Sequence, residues 1–96
     1  MEKELENKPI GDLDVDEDIS IGLESKVVLF NDDWHTFDEV ISQLMKAVHC
    51  SYEKARSHAF EVHVKGKSIV YTGSMKECLR VTSVLEEIAL TTQIIT

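Results

Sequence analysis

Two stretches of this chain carry the punctuation of a helix start directly behind an apolar, strand-like run. Lys26-Val27-Val28-Leu29-Phe30 is short, apolar and β-branched, which reads as a buried strand, and it stops at the turn signal Asn31-Asp32-Asp33. Behind it, Thr36-Phe37-Asp38-Glu39 has the form of a capping box, with Thr36 as N-cap and Glu39 reaching back. The order repeats once. Ser68-Ile69-Val70-Tyr71-Thr72 reads as a second strand, and Ser74-Met75-Lys76-Glu77 as another capping box.

The segments between these signals follow helical spacing. Phe37, Val40, Ile41, Leu44, Met45 and Val48 predict a helix over residues 37–49. Ser51 caps a second, with Tyr52, Ala55, Ala59 and Val62 as its stripe, and Lys65-Gly66-Lys67 breaks it. The helix behind Ser74 places Cys78, Val81, Leu85 and Ile88 on one side, and Thr91-Thr92-Gln93-Ile94-Ile95 closes the chain as a third strand. The order is β-α-α-β-α-β. It predicts an α+β fold, a three-stranded antiparallel sheet packed against three helices.

Charge divides the chain in two. Ten basic residues stand against 18 acidic ones, a net charge of −8. Residues 1–24 hold nine acids and two bases, and residues 25–96 hold nine acids and eight bases, so all but one unit of the excess sits at the N-terminus. A near-neutral body lacks the basic face that nucleic acid requires. The reading is a flexible acidic extension over 1–24 and a core domain over 25–96. Within the extension, Asp12-Leu13-Asp14-Val15-Asp16-Glu17-Asp18 resembles the start of a calcium loop. It fails that motif: Glu17 stands where Gly is required and Leu23 where the closing Glu is. Ile10, Leu13, Val15, Ile19, Ile21 and Leu23 could dock locally on the body or a partner.

Other classes recede on the same grounds. No apolar stretch approaches the ~20 residues that span a bilayer, and the acidic N-terminus carries no export signal, so no membrane partner is expected. Cys50 and Cys78 form no disulfide framework, which fits a reducing cytoplasm. Of the four histidines, His49 adjoins Cys50, while His58 and His63 lie five apart and off a common helical face. No metal-ligand spacing results, and no cofactor loop exists with four glycines. Neither cysteine sits where its thiol would be activated, and the serines fit helix caps, so no catalytic residue is expected. The most suggestive feature is the polar cluster Asn31, Asp32 and Asp33 at the end of the first strand, although such residues also make turns with no further role.

Two motifs carry a family resemblance. Val27-Val28-Leu29-Phe30-Asn31-Asp32-Asp33, with His35-Thr36-Phe37-Asp38-Glu39-Val40 behind it, resembles the strand, Asn-Asp-Asp turn and capped helix of the ClpS family. Glu61-Val62-His63-Val64-Lys65-Gly66-Lys67 resembles that family's Val-His-x-x-Gly-Lys signature, at a matching distance from Asn31. The likeness runs from Lys26 to the C-terminus.

The resemblance implies a non-enzymatic adaptor of the ATP-dependent Clp protease. Such an adaptor binds proteins whose first residue is Leu, Phe, Tyr or Trp, an N-degron, and delivers them to a ClpA-like or ClpC-like AAA+ unfoldase. By carry-over, Asn31, Asp32 and His63 accept hydrogen bonds from the substrate's free α-amino group. Leu29, His35, Phe37, Val40, Ala59, Val62 and Ile95 wall the pocket for its side chain. Arg80 falls where the family has a basic residue linked to the unfoldase surface, while Met75 stands where an acidic one is common.

The chain departs from the family at Phe37 and Ala59, where Met is frequent, and at His35-Thr36, where many members have Thr-Pro. These changes leave the preferred first residue open. It also lacks one residue between Gly66 and Val81. Because fold does not fix function, a general protein-interaction domain of the same fold, like the C-terminal domain of the ribosomal stalk protein, is the alternative.

Overall fold

The computed structural model describes residues 24–96. The acidic extension, its calcium-like run and its apolar residues up to Leu23 lie outside the described residues. Six elements follow: β1 (Ser25–Phe30), α1 (Phe37–Val48), α2 (Tyr52–Lys65), β2 (Lys67–Gly73), α3 (Met75–Glu86) and β3 (Thr91–Ile95). The sheet order is β2-β1-β3 with both pairings antiparallel, so the fold is the α+β arrangement expected from the sequence.

The most apolar run becomes the central strand. Val27 and Leu29 are fully buried on the helical face, and Val28 is nearly so on the other. A β-bulge between Val27 and Val28 shifts the register with β2, pairing Val27 with Tyr71 but Val28 with Ile69. Register fixes which residues share an end of the sheet. Phe30 pairs with Lys67 on one side and Thr91 on the other, whereas Ile95 pairs with Lys26 at the opposite end.

The first helix starts as its sequence dictates. Thr36 Oγ1 accepts from Glu39 N–H at 3.1 Å, and Glu39 Oε1 accepts from Thr36 N–H at 2.8 Å. Ile41, Leu44 and Ala47 face inward, and the helix ends one residue earlier than expected, at Val48, because His49 turns left-handed (φ 60°) to cap it. In α2, Ala55, Ala59 and Val62 form the buried stripe, but Tyr52 does not join it. Lying directly after the Ser51 cap, Tyr52 leaves half of its surface exposed.

The third helix corrects another expectation. Ser74 Oγ accepts from Glu77 N–H at 3.2 Å, but the Glu77 carboxylate turns to Arg80 Nε at 2.9 Å. Ser74 is thus an N-cap without the reciprocal half of a capping box. Arg80 also donates from Nη1 to the Ala47 carbonyl at 2.9 Å, satisfying an acceptor in the last turn of α1. Gln43 on α1 donates to the Val84 carbonyl at 2.6 Å. These two bonds pin α1 to α3 over a core that includes Leu29, Leu44, Val81 and Leu85. Cys78, Val81 and Leu85 are buried as expected, while Ile88 lies past the end of α3 and is only partly covered. Ala89 (φ 62°) then reverses the chain into β3.

Candidate functional site

Four chain segments meet at the C-terminal end of β1: the turn after Phe30, the start of α1, the last turns of α2 and the approach to β3. Between them lies a cavity of about 370 Å³. Its size falls in the range of about 300–1,000 Å³ typical of small-ligand sites.

The convergence of Asn31 with His63, 32 positions later, has a simple backbone cause. Gly66 ends α2 in a left-handed conformation (φ 90°), its N–H bonded to the Val62 carbonyl at 2.8 Å. Its own carbonyl accepts from Asn31 N–H at 2.9 Å. That bond ties the exit of β1 to the end of α2, so Asn31 and the His63 side of the helix border one cavity. Phe37, on the first residue of α1, meets the His63 ring edge-on at a centroid distance of 5.7 Å.

The cavity has two kinds of wall. Leu29, Val40, Ala59, Val62 and Leu90 supply apolar surface, with Phe37 at the α1 side. Ala59 carries only a methyl group there, so the space a longer side chain would occupy stays open. Asn31, Asp32, Asp33 and His63 supply the polar wall. Asn31, Asp33 and His63 are exposed, whereas Asp32 is partly covered.

Asp32 is fixed by its own turn. Its Oδ1 accepts from Trp34 N–H at 3.1 Å and His35 N–H at 2.9 Å, and its Oδ2 lies 2.6 Å from His35 Nδ1. Burial alone would raise the carboxyl pKa, but these hydrogen bonds outweigh it and hold the pKa below the ordinary value. Trp34 is exposed and stacks its ring on His35 at 3.9 Å.

Nine of the residues singled out in the sequence border this cavity: Asn31, Asp32, His63, Leu29, His35, Phe37, Val40, Ala59 and Val62. His35 does so as a bonded polar group rather than as apolar wall. Ile95, expected on the wall, is not there. It borders a second depression, with Val28 and Ile69 of the sheet and Glu61 and Lys65 of α2. Antiparallel pairing explains the difference, because β3 starts beside Phe30 and carries Ile95 away toward Lys26. Leu90, directly before that strand, takes the place in the wall. Phe30, Leu90 and Asp33 complete the lining, Asp33 as the third member of the polar cluster after β1. The antiparallel order itself held the clue to Leu90. Arg80 lies outside the cavity, engaged with Glu77 and Ala47.

Elsewhere, His58 Nδ1 lies 3.4 Å from Ser68 Oγ, which donates to Glu61 Oε1 at 2.6 Å. Burial, and secondarily Lys54, lower the His58 pKa. Among the described residues no three His, Cys, Asp or Glu side chains gather as a metal site, and no helix is long and apolar enough to cross a membrane.

The chain is similar to known proteins in sequence and in fold. The model of the family described as ATP-dependent Clp protease adaptor protein ClpS matches residues 23–93. The E3 ubiquitin-protein ligase UBR2 of Homo sapiens is 38% identical over 58 residues, 60% of this chain but 3% of the ligase. The ligase ubr-1 of Caenorhabditis elegans is 38% identical over 53 residues, 55% of this chain and again 3% of the relative. The chain therefore corresponds to a small segment of those ligases. Among solved structures, ClpS2 of Agrobacterium tumefaciens bound to L-phenylalaninamide superposes with a TM-score of 0.65 at 21% identity, covering 74% of this chain and 93% of that one. That likeness is one of fold. With the family match spanning most of its length, the chain belongs to the ClpS family of ATP-dependent Clp protease adaptor proteins.

Proposed function

We propose that this protein captures proteins whose first residue is large and hydrophobic, such as Leu, Phe, Tyr or Trp, and delivers them to a Clp AAA+ unfoldase of the ClpA or ClpC kind. The carrying observation is one cavity with an apolar wall on one side and Asn31, Asp32 and His63 on the other. An N-terminal residue has the matching form. Its α-ammonium offers three N–H donors, and a carboxylate, an amide oxygen and a neutral imidazole nitrogen are three acceptors. The side chain enters the apolar part, where burying a Leu- or Phe-sized group contributes roughly 1.5–3 kcal/mol. ClpS2 of Agrobacterium tumefaciens, of the same fold, is known bound to L-phenylalaninamide, a free amine beside a benzyl group.

In this reading Asp32 meets the ammonium charge, while Asn31 and His63 accept its remaining donors. Leu29, Phe37, Val40, Ala59, Val62 and Leu90 enclose the side chain. Residues 25–96 form the adaptor core, and the acidic residues 1–24 serve as an arm that the unfoldase engages during hand-over. Arg80 contributes to the unfoldase-facing surface in addition to its bond with Ala47.

A peptide series varied only at its first residue tests the capture step by titration. Phe-first and Leu-first peptides bind and a Gly-first peptide binds at least tenfold more weakly; equal affinities refute it. Delivery is tested by removing residues 1–22: Phe-peptide affinity stays unchanged while degradation by the unfoldase and its protease falls. Loss of peptide affinity instead makes the arm part of the folded domain.

A further inference from the structure

His35 stands where many family members have Thr, and its ring is 3% exposed. Each ring nitrogen faces an oxygen. Nδ1 lies 2.6 Å from Asp32 Oδ2, and Nε2 lies 2.6 Å from the backbone carbonyl of Ile88. A carbonyl oxygen accepts and never donates, and so does an ionised carboxylate. A neutral imidazole has a single N–H, so either tautomer leaves one ring lone pair aimed at an oxygen lone pair, out of reach of water. An imidazolium satisfies both contacts.

We propose that His35 is held as an imidazolium and is a positioning residue for substrate capture, fixing the Asp32 carboxylate and the Leu90 wall from a single ring. The proposal rests on the reading that Asp32 receives the substrate's α-ammonium. Without the His35 ring, Asp32 Oδ2 has no partner within its own turn, and the carboxylate is held through Oδ1 alone, by the Trp34 and His35 N–H groups. At the other nitrogen, Ile88 lies two residues before Leu90, next to the left-handed Ala89. The ring therefore clamps the turn that presents Leu90 to the cavity. Polar reader and apolar wall, 58 positions apart in sequence, are set by one cation.

The surroundings favour that charge. The ionisable groups acting on His35 are Asp32 from the turn and Glu39 from the first turn of α1, both acidic. The segment behind α3 presents the neutral Ile88 carbonyl. The Trp34 ring centroid lies 3.9 Å from that of His35, the planes tilted by 33°, within the range at which an aromatic ring stabilises a cation. Burial alone would lower the His35 pKa, but Asp32 and the Ile88 carbonyl outweigh it and raise the value. The site then requires opposite states of its two histidines. His63 accepts only when neutral, and His35 clamps only when charged.

Two measurements separate this inference from the capture reading. The first is the ¹⁵N chemical shifts of the His35 ring in the ligand-free protein at neutral pH. An ordinary imidazole, with a pKa of about 6.5, is mostly neutral there. Both His35 nitrogens are expected to carry protons, and a neutral-tautomer signature overturns the proposal. The second is Phe-first peptide binding by His35→Gln, whose amide keeps N–H donors but carries no charge. Affinity is expected to fall about tenfold, the scale of a lost charge-assisted contact; the wild type is expected to lose affinity at alkaline pH beyond the loss from the peptide's own ammonium, and the variant to follow the ammonium alone. Unchanged affinity overturns the positioning role while leaving the capture reading intact. If the wild type does not bind the Phe-first peptide, the capture reading fails and the positioning role fails with it; the ring shifts still decide the charge.

Discussion

Asp32 commits one oxygen to the backbone of its turn and the other to His35, so its geometry is set before any ligand arrives. The two partners titrate in opposite directions, and the sign of each follows from its shift. A carboxyl with a depressed folded pKa stabilises the fold above its unfolded value of about 3.9, and that contribution is lost as pH falls through the folded value. An imidazole with a raised folded pKa stabilises below its unfolded value of about 6.5, and that contribution is lost as pH rises through the folded value. Asp32→Asn keeps an oxygen for the turn and removes the charge. Its urea midpoint is expected to change less than the wild type's below pH 4, and its Phe-peptide affinity to fall at least tenfold at neutral pH. A variant that follows the wild-type acid limb and binds equally well contradicts the role given to the carboxylate. Asn31, Asp32 and His63 were legible as site candidates only through the two family-like motifs that carry them, because such residue types also make turns with no further role. The Asp32–His35–Ile88 chain was not, since His35 and Ile88 are 53 positions apart and spacing says nothing about where a ring nitrogen points.

Among the elements, signals confined to a few adjacent residues were read well. Thr36 and Glu39 bond each other's backbone as a capping box must, and Ser51 and Gly66 bound α2 as their types require. The misreadings came where a distant partner competed. Glu77 had two places to put its carboxylate, and Arg80, itself held by Ala47, won it. Tyr52 matches the stripe by periodicity, but at the first turn of α2 half of its surface stays exposed. Ile95 was misplaced because wall membership depends on register. Phe30 pairs with Thr91, which brings Leu90 to the cavity end of the sheet and leaves Ile95 beside Lys26. The structure thus separates two apolar residues only five positions apart. Leu90→Ala is expected to weaken Phe-peptide binding about tenfold by enlarging the pocket, whereas Ile95→Ala leaves affinity within about twofold. Isothermal titration of both variants checks this, and the reverse ranking would restore Ile95 to the wall.

For the whole molecule, the division of charge and the position of the cavity belong together. A near-neutral body carries a cavity with polar and apolar walls where the central strand ends, and the excess negative charge is left to residues 1–24. The cavity exists because a turn, two helices and the approach to β3 reach the same end of the sheet. No single segment holds enough of it to be read alone. The account's central claim is that this site reads a free α-amino group together with a hydrophobic side chain. Its most direct test is paired titration of a Phe-first peptide and the same peptide acetylated at its N-terminus. Acetylation removes the charge and two of the three donors while leaving the benzyl group in place. The account predicts that the free peptide binds and the acetylated one binds at least a hundredfold more weakly, about 2.7 kcal/mol. Equal affinity for the two peptides would contradict it.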